Sequence, residues 1–242
     1  MAIFFAELFG TFLLILLGNG VTANMILPKS KGENGGWIVI ATGWGFAVMF
    51  SVYLVGWISG AHINPAVTIA MLLAGKIEIS NLIVYFLGQF LGAYLGALTV
   101  YAFYYNHFQA EKAAEFKLMS FCTKPVFSNQ KINFLCEAIG TFVLIVGIFS
   151  IGDSHNQISS SASPFLVGAL VWAIGMSLGG TTGYAINPAR DLGPRLAHAS
   201  VQFKGKGSNE WSYSWVPFFG PILGAIFGYL FYFHFFLKVV SY

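Results

Sequence analysis

The sequence contains itself twice, and the repeated unit holds an odd number of membrane-length apolar runs. Glu7, Gly10, Thr11, Phe12, Leu14 and Ile15 recur as Glu137, Gly140, Thr141, Phe142, Leu144 and Ile145. Gly60, Ile63, Asn64, Pro65 and Ala66 recur as Gly183, Ile186, Asn187, Pro188 and Ala189, and Gly88, Gly92, Ala93 and Gly96 as Gly220, Gly224, Ala225 and Gly228. Such a repeat constrains the fold before any local pattern does. Apolar runs of roughly 18–24 residues, enough to cross ~30 Å of hydrocarbon, lie at 3–25, 36–58, 81–105, 132–152, 163–180 and 214–237. Three spans per half is odd, so the second half enters from the opposite face and the halves are inverted. The expectation is an all-α membrane protein with six transmembrane helices. A single domain, 1–242, is divided into halves 1–105 and 132–242, with 106–131 joining them as a solvated loop. Asp153–Ser163 reads as a shorter polar connection.

Composition excludes most alternatives. Charged residues make up 9% and hydrophobic ones 57%, whereas soluble domains are about 25% charged. No basic cluster interleaved with aromatics supports nucleic-acid binding. Cys122 and Cys136 have neither metal-site spacing nor a disulfide framework, and the histidines other than His62 are dispersed, so no metal or cofactor is expected. No nucleophile, base and orienting group can be assembled, which argues against an enzyme. The first apolar run lacks a basic leader and a small-residue cleavage site, so it is read as a retained helix.

Two stretches, Ile63–Gly75 and Ile186–His198, are too short to cross and read as re-entrant half-helices completing the inverted 3+3 repeat. Each starts Asn-Pro, with Asn64 or Asn187 as cap and Pro65 or Pro188 at the first helical position. Inversion brings the two N-termini together near the midplane, where dipole ends and asparagine amides repel cations and donate to an oxygen. Non-helical backbone at that depth must line a cavity. Carbonyls of Gly60, Ala61 and His62, and of Gly183, Tyr184 and Ala185, then form a ladder of acceptors. Donors at the centre with acceptors on either side suit a small neutral hydroxylic molecule and oppose proton hopping. Arg190 lies in a first helical turn, where a cation is disfavoured, at a membrane depth that costs about 2.5–3.5 kcal/mol. It is therefore read as lining the path, with Asp191 supporting. Glu7 and Glu137 have two readings: a proton relay, the default for intramembrane acids, or acceptors for loop N–H groups. Their equivalence across the repeat favours the second.

Glu-x-x-Gly-Thr at Glu7 and Glu137, Ser-Gly-Ala-His-Ile-Asn-Pro-Ala at Ser59–Ala66 and Asn-Pro-Ala-Arg-Asp at Asn187–Asp191 together resemble the major intrinsic proteins, the aquaporin and glycerol facilitator family. The similarity covers nearly the whole chain, and Asp191 after Arg190 resembles the glycerol-conducting branch. The resemblance implies an outer filter at Trp44, Gly175, Tyr184 and Arg190 and central motifs at Asn64, Pro65, Ala66, Asn187, Pro188 and Ala189. Water-selective members carry His where this chain has Gly175; glycine implies a wider pore. Glycerol facilitators usually carry Phe at the position of Tyr184, so the chain departs from the pattern there. The implied protein is a passive channel for glycerol, water and other small neutral solutes. It is expected as a homotetramer in the bilayer of the plasma membrane, with cytoplasmic termini. A water-dominated channel and a proton-coupled secondary transporter are the alternatives. Charge disagrees with the implied orientation, because the loops that would face outward hold most of the lysines.

Overall fold

A computed structural model describes residues 1–240, and all regular structure in them is helical. Five helices are long and apolar enough to cross a membrane: α1 (Ala2–Ile26), α2 (Trp37–Ser59), α4 (Leu82–Phe103, extended by a 3-10 turn at Ile79–Asn81), α7 (Gln130–Ile151) and Trp215–Val240. The last comprises α10 (Trp215–Leu230), a π-helical turn at Phe231–Phe236 and a final α-helical turn. The sixth expected span, 163–180, is occupied by α8 (Ser163–Leu178), a shorter apolar helix of 16 residues that rises about 24 Å. The half-helices are α3 (Pro65–Leu73) and α9 (Pro188–Ser200).

Packing follows the repeat. α1 lies on α4 as α7 lies on α10; α1 meets α2 as α7 meets α8; α2 and α8 pack together at the centre. Each half-helix rests on the third span of the other half, α3 on α10 and α9 on α4, and the two also touch each other. Small residues permit the closest of these crossings. A Cβ at Gly92 would stand 2.2 Å from the Leu8 carbonyl oxygen, and one at Gly224 only 2.1 Å from that of Ala138. Backbone approach of this kind is how membrane helices associate when apolar burial supplies no net drive.

The segment 106–131 is not the solvated loop its charges suggest. It contains α5 (Tyr105–Ala110) and α6 (Ala114–Met119) and buries Phe108, Lys117, Leu118, Phe121 and Cys122. Lys117 is 1% exposed; its ammonium donates to the Lys204 carbonyl and lies 5.5 Å from the Phe203 ring centroid. A charge count cannot anticipate a lysine satisfied by a carbonyl 87 residues away.

Candidate functional site

The approach to each half-helix is a left-handed staircase. φ is 81° at Gly60 and 83° at Gly183, 49° at Ala61 and 38° at Tyr184, 45° at Ile63 and 43° at Ile186. Non-glycine residues held there cost roughly 1–2 kcal/mol each, so something must compensate. Two buried carboxylates do. Glu7 accepts from the backbone N–H of His62 (3.0 Å) and Ile63 (2.7 Å), from Ser59 Oγ (2.5 Å) and from Gln89 Nε2 (2.7 Å). Glu137 accepts from the N–H of Ala185 (3.0 Å) and Ile186 (2.8 Å). Acids held this way fix the loops by accepting from their free backbone N–H groups.

Asn64 and Asn187 start their helices and also cross-link them. Asn64 Oδ1 accepts from Ala66 N at 2.9 Å; Asn187 Oδ1 accepts from Ala189 N at 3.0 Å and Arg190 N at 3.2 Å. Asn64 Nδ2 donates to the Ile186 carbonyl and Asn187 Nδ2 to the Ile63 carbonyl, both at 2.8 Å. An amide nitrogen carries two protons, so each asparagine keeps one donor beyond its cross-link. Both residues line a cavity of about 260 Å³, together with Gly60, Ala61, His62, Tyr184 and Ala185. Gly183, expected in the same ladder, lines instead a smaller outer cavity of about 60 Å³.

Trp44, Tyr184 and Arg190 border both cavities. The Arg190 guanidinium carbon is 4.3 Å from the Trp44 ring centroid, and Trp44 Nε1 is held by Thr22 Oγ1 at 3.1 Å. Stacking on an aromatic face holds a guanidinium without using its N–H groups. Arg190 Nη1 and the Tyr184 hydroxyl are both buried without a protein partner. Buried polar atoms are otherwise almost always paired; these two belong to residues that line both cavities. The room implied at Gly175 is partly taken: a Cβ there would stand 2.8 Å from Tyr184 Cζ. Glycine at this position makes space for the phenol end of Tyr184.

Asp191 lines neither cavity. Its carboxylate accepts from Thr123 N (2.9 Å), Thr123 Oγ1 (2.5 Å), Arg195 Nε (2.8 Å) and Arg195 Nη2 (3.0 Å). Arg190 therefore does not pair with it through hydrogen bonds. Arg195 is fully buried and also donates to the carbonyls of Thr123 (3.0 Å), Asn209 (2.8 Å) and Glu210 (3.3 Å). This node ties α9 to both neighbouring loops, and the sequence reading missed it. The available signal was a second arginine five residues after the first in a helix with almost no other charge.

His62 stacks on Tyr85 (centroids 4.4 Å apart) with Nδ1 3.2 Å from Thr68 Oγ1, so it braces the first loop while lining the cavity. Among the described residues no three His, Cys, Asp or Glu side chains cluster as metal ligands. Burial pushes the Cys122 thiol up to about 12, which leaves it inert as a nucleophile.

A family model described as major intrinsic protein matches residues 1–232. A probable glycerol uptake facilitator protein of Thermotoga maritima is 54% identical over 220 residues, covering 91% of this chain and 93% of its own. Glycerol uptake facilitator protein 3 of Lactiplantibacillus plantarum is 50% identical over 214 residues, 88% of each chain. The crystal structure of the aquaglyceroporin from Plasmodium falciparum matches with a TM-score of 0.87 at 32% identity, covering 98% of this chain and 97% of that one.

Proposed function

The chain belongs to the major intrinsic protein family, and on that premise we propose that it is a passive channel conducting glycerol through a bilayer, together with water and other small neutral solutes. The observation that carries this reading is the pairing at the constriction of an aromatic face, Trp44, with a guanidinium whose Nη1 has no protein acceptor. A polyol is two-faced in the same way: its C–H edge fits a ring while its hydroxyls accept from Arg190 and donate to the carbonyls beyond. The Asn64 and Asn187 donors then take over where the half-helix dipoles converge, and those positive ends exclude cations and protons. Trp44, Gly175, Tyr184 and Arg190 form the filter in this account, and the two Asn-Pro-Ala segments form the centre. Halves 1–105 and 132–242 act as one channel domain, which assembles as a homotetramer with a pore in each chain.

We place both termini in the cytoplasm and the filter outside. Of the eight lysines that oppose this orientation (Lys29, Lys31, Lys112, Lys117, Lys124, Lys131, Lys204 and Lys206), three are engaged: Lys117 with the Lys204 carbonyl, Lys206 with those of Ala199 (2.9 Å) and Val201 (2.8 Å), and Lys124 with Glu115 (3.3 Å) and Glu210 (3.4 Å). These three fasten the loops around the filter; the other five leave the lysine count opposed to this orientation, which therefore rests on the family resemblance, and a pore for neutral solutes conducts in either direction. Labelling of a cysteine placed at position 112 by an impermeant reagent in intact cells is the expected result; protection would invert the orientation.

Stopped-flow light scattering on proteoliposomes tests the function. Glycerol influx well above that of protein-free vesicles, and indifferent to a pH gradient, is expected. Fast water flux with glycerol at background would make the channel water-dominated, and flux that follows the pH gradient would make it a coupled transporter.

A further inference from the structure

Trp37 opens α2 directly after Gly36, whose φ of 91° turns the chain there. Its position suits the aromatic belt that membrane helices carry at the interface, but a belt residue directs its N–H toward water or headgroups. Trp37 Nε1 instead donates to the carbonyl of Gly175, 138 residues away, at 2.9 Å. α8 ends at Leu178, so the Gly175 carbonyl is among the last four of its helix, the ones without an intrahelical donor. The indole supplies one.

The same ring meets Tyr184 edge-on, with centroids 5.9 Å apart and planes at 74°. Glycines clear the ground on the other side of Tyr184. A Cβ at Gly179 would lie 2.6 Å from both Trp37 Cζ2 and Tyr184 Cδ1, and one at Gly175 would lie 2.8 Å from Tyr184 Cζ. Tyr184 is thus clamped between the end of α8 and the edge of Trp37, while Trp37 itself borders the outer cavity with Trp44 and Arg190. We propose that Trp37 is a positioning residue of the filter: by holding the Gly175 carbonyl and bracing the Tyr184 ring it sets the width of the constriction and so the largest polyol admitted. This rests on the filter assignment given above.

The test is the ratio of erythritol to glycerol permeability, measured on the same proteoliposomes so that the amount of protein cancels. Trp37→Phe keeps a ring and loses the donor; Trp37→Ala loses both. The ratio is expected to rise roughly fivefold in Trp37→Phe, the factor that one ordinary hydrogen bond carries, and further in Trp37→Ala as Tyr184 moves into the vacated space. A bland anchoring role would change the yield of folded protein and leave the ratio alone. If Trp37→Ala does not fold, Trp37→Phe decides. Tyr184→Ala, run in parallel, separates the two levels of the argument. A ratio raised in Tyr184→Ala but unchanged in the Trp37 variants overturns the role of Trp37, whereas a ratio unchanged in all of them overturns it together with the filter assignment.

Discussion

From Gly60 to Asn64 and from Gly183 to Asn187 the backbone takes nearly the same path, with φ agreeing to 2° at the glycines and at the isoleucines. The side chains on these matched backbones diverge. Ala61, Val67, Thr68 and Leu72 stand in the first copy where Tyr184, Arg190, Asp191 and Arg195 stand in the second. The first copy closes on itself: Gln89 Nε2 bridges Glu7 and Thr68 Oγ1 (2.9 Å), and Thr68 also meets His62. The second reaches outward, through Asp191 and Arg195 to Thr123, Asn209 and Glu210, and offers Arg190 to the path. The two copies therefore share a backbone and differ in side chains, and in the function proposed here the shared backbone makes the pore and what the second copy adds makes the filter.

Arg195→Met should break that outward half most severely. It leaves the Asp191 carboxylate buried without its cation, which costs about 3–5 kcal/mol, while Leu72→Met at the matching position should cost under about 1.5 kcal/mol. Unfolding in detergent checks both, and equal losses would erase the distinction between the copies. Glu7→Gln and Glu137→Gln compare what is shared. Each replaces charged acceptors of backbone N–H groups with a neutral amide, so a loss of about 1–3 kcal/mol is expected in both. Glu7 should lose more, because it serves two side-chain donors as well as the loop. Flux that persists in both variants without pH dependence would remove the proton-relay reading.

How far the sequence led depends on range. The repeat, the half-helices and the cross-facing asparagines were legible because each is written in a local motif present twice. The folding of 106–131 was not: Lys117 and Glu115 read as solvent-facing, and only the Lys204 carbonyl and the Phe203 ring, brought in from far along the chain, explain the buried lysine. Trp37 escaped for the same reason, since its partner is a backbone carbonyl, which no sequence displays, and so did the carbonyl partners of Arg195, although its pairing with Asp191 four residues earlier was open to a local reading. α8 ends two residues before its apolar run does, at Leu178, where Gly179 and Gly180 follow.

Smaller effects refine the picture. Tyr184→Phe should change the glycerol-to-water ratio by no more than about threefold, because the hydroxyl has no protein partner to lose; a larger change would make the phenol oxygen a direct contact of the solute. Away from both copies, the Asp153 carboxyl is held down to about 2, first by the Tyr232 hydroxyl at 2.7 Å and then by the N–H and ring of His155. A depressed folded pKa gives a contribution that is complete above the ordinary carboxylate range and lost as pH falls through about 2. In Tyr232→Phe the Asp153 carboxyl carbon, followed by NMR, should titrate nearer the ordinary value; an unmoved midpoint would discount this contact.

The central claim is that selectivity lies in the side chains the second copy adds to a duplicated scaffold, and Arg190→Val, which gives the second copy the residue the first has at Val67, tests it most directly. In proteoliposomes the account predicts that water and glycerol still pass while discrimination against larger polyols falls roughly tenfold, the factor carried by about 1.4 kcal/mol of lost hydrogen bonding. Discrimination left intact, or all permeation abolished, would contradict it.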